Sequence, residues 1–106
     1  MAYPQLTDKP GLIETASAIR EGKLSVAEAV DAAIVRIERY DAEIDALAVP
    51  DFERAAATAK AMDQDGPSSD QPLFGVPMTV KESFDVKGLQ SCWGHQRLTD
   101  YIAPRD

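Results

Sequence analysis

The sequence predicts an α/β fold of about three helices and two to four short strands. Three observations predict it. Apolar residues recur at helical spacing in three stretches between residues 12 and 62. Two short apolar runs, at 44–49 and 78–81, have the length and flanking Pro residues of strands. A helical stretch separates those two runs, as in a crossover between parallel strands.

The first helix is signalled by Leu12, Ile13, Ala16 and Ile19, with Thr7 or Asp8 able to cap its start and Gly22 placed to stop it. Ser25-Val26-Ala27-Glu28 then forms a capping box, in which the Ser25 hydroxyl and the Glu28 carboxylate satisfy otherwise orphaned backbone N–H groups. Behind it Val26, Val30, Ala33, Ile34 and Ile37 make one apolar stripe, with Asp31, Arg36, Glu38 and Arg39 largely off it, the pattern of a core-facing helix. After Tyr40 and Asp41, the run Ile44-Asp45-Ala46-Leu47-Ala48-Val49, closed by Pro50, is expected to be a buried strand. The third helix is capped by Asp51 and carried by Phe52, Ala55, Ala56, Ala59 and Met62, failing at Gly66. Residues 66–72, Gly-Pro-Ser-Ser-Asp-Gln-Pro, are an exposed loop within the domain. In the next segment Pro77 opens a strand in which Met78 and Val80 alternate with Thr79 and Lys81. Ser83–Val86 is a further short extended piece, and Lys87-Gly88 a turn. Pro104-Arg105-Asp106 resembles the opening of a helix. Two or three short strands do not make the covered sheet that parallel strands require, so residues 1–106 are expected to be one portion of a domain, cut short.

Composition narrows the partners. The 106 residues carry 11 Lys plus Arg against 18 Asp plus Glu, a net charge of −7 with no basic cluster, which removes the usual attraction to nucleic acid and to anionic lipid. No apolar run approaches the roughly 20 residues of a membrane span. Neither nucleic acid nor membrane is expected as a partner. No basic and apolar leader opens the chain, and a lone Cys92 cannot form an internal disulfide, so a reducing, cytoplasmic setting is expected. Unpaired strand edges and uncovered faces near 46–49 and 78–81 predict self-association or a loosely packed state. Cys92 and His95 have the spacing of half a metal site, but one Cys and one His cannot close a zinc site, and a buried or half-buried thiol with a surface imidazole is the reading taken. No metal and no cofactor is expected. Trp93 is read as packing, and Asp63 and Asp65 as a solvated helix end.

Taken alone, Lys81 beside Glu82 is a solvated strand end. Its neighbours change that reading. The run PLFGVPMTVKESFDVKGLQSCWG, from Pro72 to Gly94, resembles the early signature of the amidase signature family. The matching elements are Gly75-Val76-Pro77, Val80-Lys81-Glu82, Val86-Lys87-Gly88 and Ser91-Cys92-Trp93-Gly94, the last replacing a more usual Thr-Thr pair. Upstream, Gly22-Lys23-Leu24-Ser25, Arg36-Ile37-Glu38-Arg39 and Ile44-Asp45-Ala46-Leu47 are similar to that family too, so the resemblance spans essentially the whole chain.

The resemblance implies an N-terminal fragment of the amidase signature fold and a Ser-cisSer-Lys hydrolase acting on the C–N bond of a small-molecule amide, with Lys81 as the catalytic lysine. A lysine in an enclosed apolar site loses hydration of its charged form and so can serve as a base near neutral pH. In that family the proton reaches it through a bridging serine from the serine nucleophile, which forms an acyl-enzyme while backbone N–H groups hold the oxyanion. The glycine-rich nucleophile loop and the bridging-serine segment are not in these residues. Ser83 and Ser91 sit in no such loop, so the chain alone is expected to be inactive. Two alternatives stand. One is a noncatalytic interaction module, a self-associating remnant. The other, ranked behind, is a piece of the amidase-like subunit of glutaminyl-tRNA amidotransferase, whose motif usually reads Lys-Asp-Asn where this chain has Lys81-Glu82-Ser83.

Overall fold

The computed structural model describes residues 10–106, which form two compact units. The first joins residues 10–44 to Asp51–Pro77, and the second joins Asp45–Pro50 to Met78–Asp106.

Three helices make the first unit: α1 (Leu12–Arg20), α2 (Val26–Ile44) and α3 (Phe52–Asp65). The expected caps Thr7 and Asp8 lie outside the described residues. At the start of α1 the Glu14 carboxylate accepts from the Gly11 N–H at 3.0 Å, and the buried Thr15 hydroxyl donates to the Gly11 carbonyl at 2.9 Å. The helix ends as expected at Gly22, where φ is +70°. There the Lys23 N–H reaches back to the Ala18 carbonyl and the Gly22 N–H to that of Ile19, the paired bonds of a Schellman stop.

The Ser25 capping box forms as the sequence predicts: Ser25 N–H donates to Glu28 Oε2 at 2.8 Å, and Glu28 N–H to Ser25 Oγ at 3.0 Å. A second device, expected from the sequence to be mere solvated charge, completes it. Asp63 of α3 accepts from the Val26 N–H at 2.7 Å and the Ala27 N–H at 3.0 Å, so three successive donors of the α2 N-terminus are satisfied. The negative carboxylate also sits against the positive end of the helix dipole.

Packing of α2 on α3 builds the core from Ile19, Val26, Ala29 and Ala59, flanked by Leu24, Val30, Met62 and Phe74. Val26 is 2% exposed, and burying such a side chain is worth about 1.5–3 kcal/mol. Leu12 and Ile13, expected to face this core, are exposed, and the inward positions of α1 are Thr15 and Ile19 instead. Asp51 does not cap α3: its carboxylate takes the Arg54 guanidinium at 2.5 Å, which turns it from the backbone donors. Gly66 does end α3, its N–H donating to the Met62 carbonyl at 2.9 Å. In the loop beyond, the carbonyls of Ser68 and Gln71 accept from Arg20, and the Ser68 hydroxyl, bonded to Asp70, holds that carboxyl below its usual range.

The expected strands are not formed among the described residues. Ile44 belongs to α2, Asp45 turns the chain with φ +51°, and 46–50 is irregular. Met78–Lys81 forms no ladder among the described residues, and a strand needs one because its N–H and C=O groups bond across to a neighbour. Among the described residues the β component is one antiparallel bridge, Gln90 with Ile102, in the second unit. Around it the Gly88 N–H donates to Ala103 O, the Ala103 N–H to Leu89 O and the Ser91 N–H to Tyr101 O, closing a small loop cluster over the buried Ala103. The Lys87-Gly88 turn is present, with the Leu89 N–H on the Val86 carbonyl at 2.9 Å. The Asp106 carboxylate accepts from the Lys87 N–H at 2.9 Å. A 3₁₀ turn covers Gln96–Leu98. No described helix is long and apolar enough to cross a membrane.

Candidate functional site

The Gly-Val-Pro element lies at the edge of the first unit and is a packing device. Gly75 is buried with φ +79°. A Cβ there would stand 2.6 Å from Val26 Cγ2 and 3.2 Å from Ile19 Cδ1. The turn presses its backbone onto the start of α2, and only glycine allows both that approach and that backbone angle. Beside it a groove of about 630 Å³ opens between α2, α3 and residues 71–76, with Val30, Ala55, Met62, Leu73 and Phe74 on its walls.

Val80-Lys81-Glu82 belongs to the second unit. Lys81 is exposed, and its carbonyl accepts the Phe84 N–H at 3.0 Å, so a turn closes directly on it. Its amine makes no ion pair or hydrogen bond with the described residues. Glu82 faces residues 91 and 92: its Oε1 accepts from the Cys92 N–H at 3.1 Å and from the Cys92 thiol at 3.2 Å. The Cys92 N–H chiefly, and then the thiol, hold the Glu82 carboxyl below the usual glutamate range. The Glu82 carbonyl in turn accepts the Ser91 hydroxyl at 3.1 Å, and Ser91 is 5% exposed. Thus two elements of the signature, nine and ten residues apart, are joined immediately after Lys81 by three bonds. The pair at 91 and 92 supplies a hydroxyl and a thiol donor.

Neither candidate hydroxyl reaches Lys81. Ser91 spends its proton on Glu82, and Ser83 makes no bond to the amine. Cys92 and His95 do not pair through their side chains. The His95 N–H donates to the Cys92 carbonyl at 2.8 Å, the imidazole is exposed and the thiol is half-buried, as the sequence suggested. No group of three potential metal-ligating side chains lies close together among the described residues. Trp93, expected to pack, is 64% exposed with φ +55°. It lines a shallow hollow of about 390 Å³ with Asp85, Ser91, His95, Leu98 and Tyr101. There the Tyr101 hydroxyl donates to Asp85 Oδ2 at 2.9 Å, a bond that stabilises the neutral phenol and raises its pKa.

Sequence reasoning missed Asp63 as a cap and Glu82 as an acceptor. Each works across a long sequence separation, and neither carries a local signal beyond a carboxylate at a helix end or beside a lysine.

Several known proteins are similar in sequence to this chain. One glutamyl-tRNA(Gln) amidotransferase subunit, from Oleidesulfovibrio alaskensis, is 41% identical over 91 residues, covering 86% of this chain and 19% of that protein. The same subunit from Solidesulfovibrio magneticus is 42% identical over 79 residues, 74% of this chain and 16% of its own length. An indoleacetamide hydrolase from Bradyrhizobium diazoefficiens is 34% identical over 96 residues, 89% of this chain and 18% of its own. The chain thus spans about a fifth of the length of these curated relatives. Residues 28–106 match the Amidase family, which takes in the Gly75 turn, Lys81 and the tie from Glu82 to Ser91 and Cys92. The chain belongs to the amidase family.

Proposed function

We propose that these residues form the lysine-bearing N-terminal part of an amide C–N hydrolase of the Ser-cisSer-Lys type, with Lys81 as its catalytic base. In this reading the neutral Lys81 amine takes a proton relayed by a bridging serine from the serine nucleophile. That serine attacks the amide carbon, the amine leaves with a proton, and water releases the acyl group. Both serines and the oxyanion donors belong to sequence outside these residues, so the chain alone turns over no amide. What supports the reading most is the signature itself: Gly75, Lys81, Glu82 and the 91–92 pair fall within the family match, and all but Lys81 have a structural task that keeps the segment in shape.

The identity to two amidotransferase subunits favours a narrower version, ranked behind on the sequence alone, in which the amide nitrogen is passed on to an acceptor rather than lost to water. Both versions break the same bond and use the same lysine.

Grafting provides the test. Residues 1–106 would replace the matching segment of the Bradyrhizobium indoleacetamide hydrolase, and ammonia release from indoleacetamide would be followed beside the free chain. Turnover by the chimera is expected, and none above background by the chain. Turnover by the chain that Lys81→Ala abolishes would overturn the division of labour, and a folded but inert chimera would count against the segment's equivalence.

A further inference from the structure

Lys81 and Glu82 are adjacent, and a carboxylate near an amine favours the ammonium form, which cannot accept a proton. A lysine that serves as a base therefore needs its neighbouring anion kept elsewhere. Here the Glu82 carboxylate is turned to Cys92, whose N–H and thiol both donate to Oε1, at 3.1 and 3.2 Å. The Ser91 hydroxyl fixes the Glu82 carbonyl at the same time. None of the carboxylates of this unit, Asp45, Glu82, Asp85, Asp100 and Asp106, forms an ion pair with Lys81. Asp85 is engaged by the Tyr101 hydroxyl and Asp106 by the Lys87 N–H. The cationic or basic groups of the unit, Lys87, His95, Arg97 and Arg105, are exposed.

We infer that Cys92 is a positioning residue that holds the Glu82 carboxylate away from the Lys81 amine. Its catalytic meaning rests on the reading of Lys81 given above, but the contact can be tested without turnover. Glu82 is a carboxylate at neutral pH, as an ordinary glutamate is, and the two donors at 92 hold its carboxyl lower still, so the anion to be restrained is present there. Without the thiol, the backbone N–H at 92 alone holds Oε1, and the Glu82 side chain is long enough to swing toward the adjacent amine.

The experiment is acetylation of the full 106-residue chain by a water-soluble active ester near pH 8, with the rate at each lysine read by mass spectrometry and Lys87 as the internal reference. Only the neutral amine reacts, so the rate reports how strongly the ammonium is favoured. Cys92→Ala, which removes the thiol and leaves the backbone N–H at 92, should slow labelling of Lys81 about twofold to threefold as the loosened carboxylate comes closer to the amine. Glu82→Gln alone should leave Lys81 within about twofold of wild type, since an anion already held away is removed, and Cys92→Ala should have no effect in that background. Cys92→Ser, which keeps a donor, should label as wild type.

An unchanged rate in folded Cys92→Ala, or an equal slowing with and without Glu82, would overturn the inference. Should Cys92→Ala lose its fold, Glu82→Gln decides: labelling about threefold faster would mean that Glu82 already acts on Lys81. Failure here leaves the Lys81 assignment standing, and a catalytically silent Lys81 in the chimera would leave this contact standing.

Discussion

Replacing Gly75 by alanine tests how the Gly-Val-Pro turn is seated. Two costs add. At φ +79° a Cβ meets its own backbone, which costs about 1–2 kcal/mol. The new methyl also stands 2.6 and 3.3 Å from the two Val26 methyls and 3.2 Å from Ile19 Cδ1. Val26 is 2% exposed and has no solvent to swing into, so overpacking adds about 1–3 kcal/mol. The sum, about 2–5 kcal/mol, is a large share of the stability ordinary for a chain of this size. Gly22→Ala is the reference, because Gly22 has φ +70° and a Cβ added there would meet nothing within 4 Å, leaving only the backbone cost. Urea unfolding followed by circular dichroism would give both values at constant m. A double-mutant cycle with Val26→Ala, which removes the closest atoms, should recover most of the excess. Equal costs at Gly22 and Gly75, or an excess that survives in the Val26→Ala background, would refute the packing argument.

Asp63→Ala should lower the unfolding free energy by about 1–2 kcal/mol, since it frees the Val26 and Ala27 N–H groups at the α2 N-terminus, and high salt should narrow the gap between the variants. A urea midpoint equal to wild type would return Asp63 to the solvated surface. For Glu82 the folded carboxyl is the stronger acid, so its tie to Cys92 stabilises the fold above the unfolded glutamate value of about 4.3 and is lost as pH falls through the lowered folded value. Carbon-detected NMR titration should place Glu82 below the usual range in wild type and higher in Cys92→Ala, without full return because the Cys92 N–H remains; no change on removing the thiol would contradict the assignment of the second donor.

What was legible in the sequence is what local chemistry fixes. The Ser25 and Glu28 box, the Gly22 and Gly66 stops and the Lys87-Gly88 turn depend on residues within a few positions of each other, and all form as read. The strand readings at 44–49 and 78–81 failed because an apolar run supplies only half of a ladder, and neither run forms one among the described residues. Leu12 and Ile13 obeyed helical periodicity but faced outward, since spacing gives a stripe and not which side of it meets α2 and α3. At the site, the signature pointed to Gly75, Lys81 and Glu82, whereas the bonds from Glu82 to Cys92 and from Ser91 to Glu82 needed coordinates.

The central claim is that Lys81 is a base and not a bystander cation, and the chimera decides it through Lys81→Arg and Lys81→Met. Arginine keeps the charge but cannot deprotonate near neutral pH, and methionine keeps much of the stem without the amine. Turnover would be measured beside thermal midpoints, so that only folded variants are compared. A base at this position predicts a fall in turnover of about 10²–10⁴ for both variants at nearly unchanged midpoints. Near-wild-type turnover in either folded variant would contradict it and leave Lys81 an ordinary surface lysine.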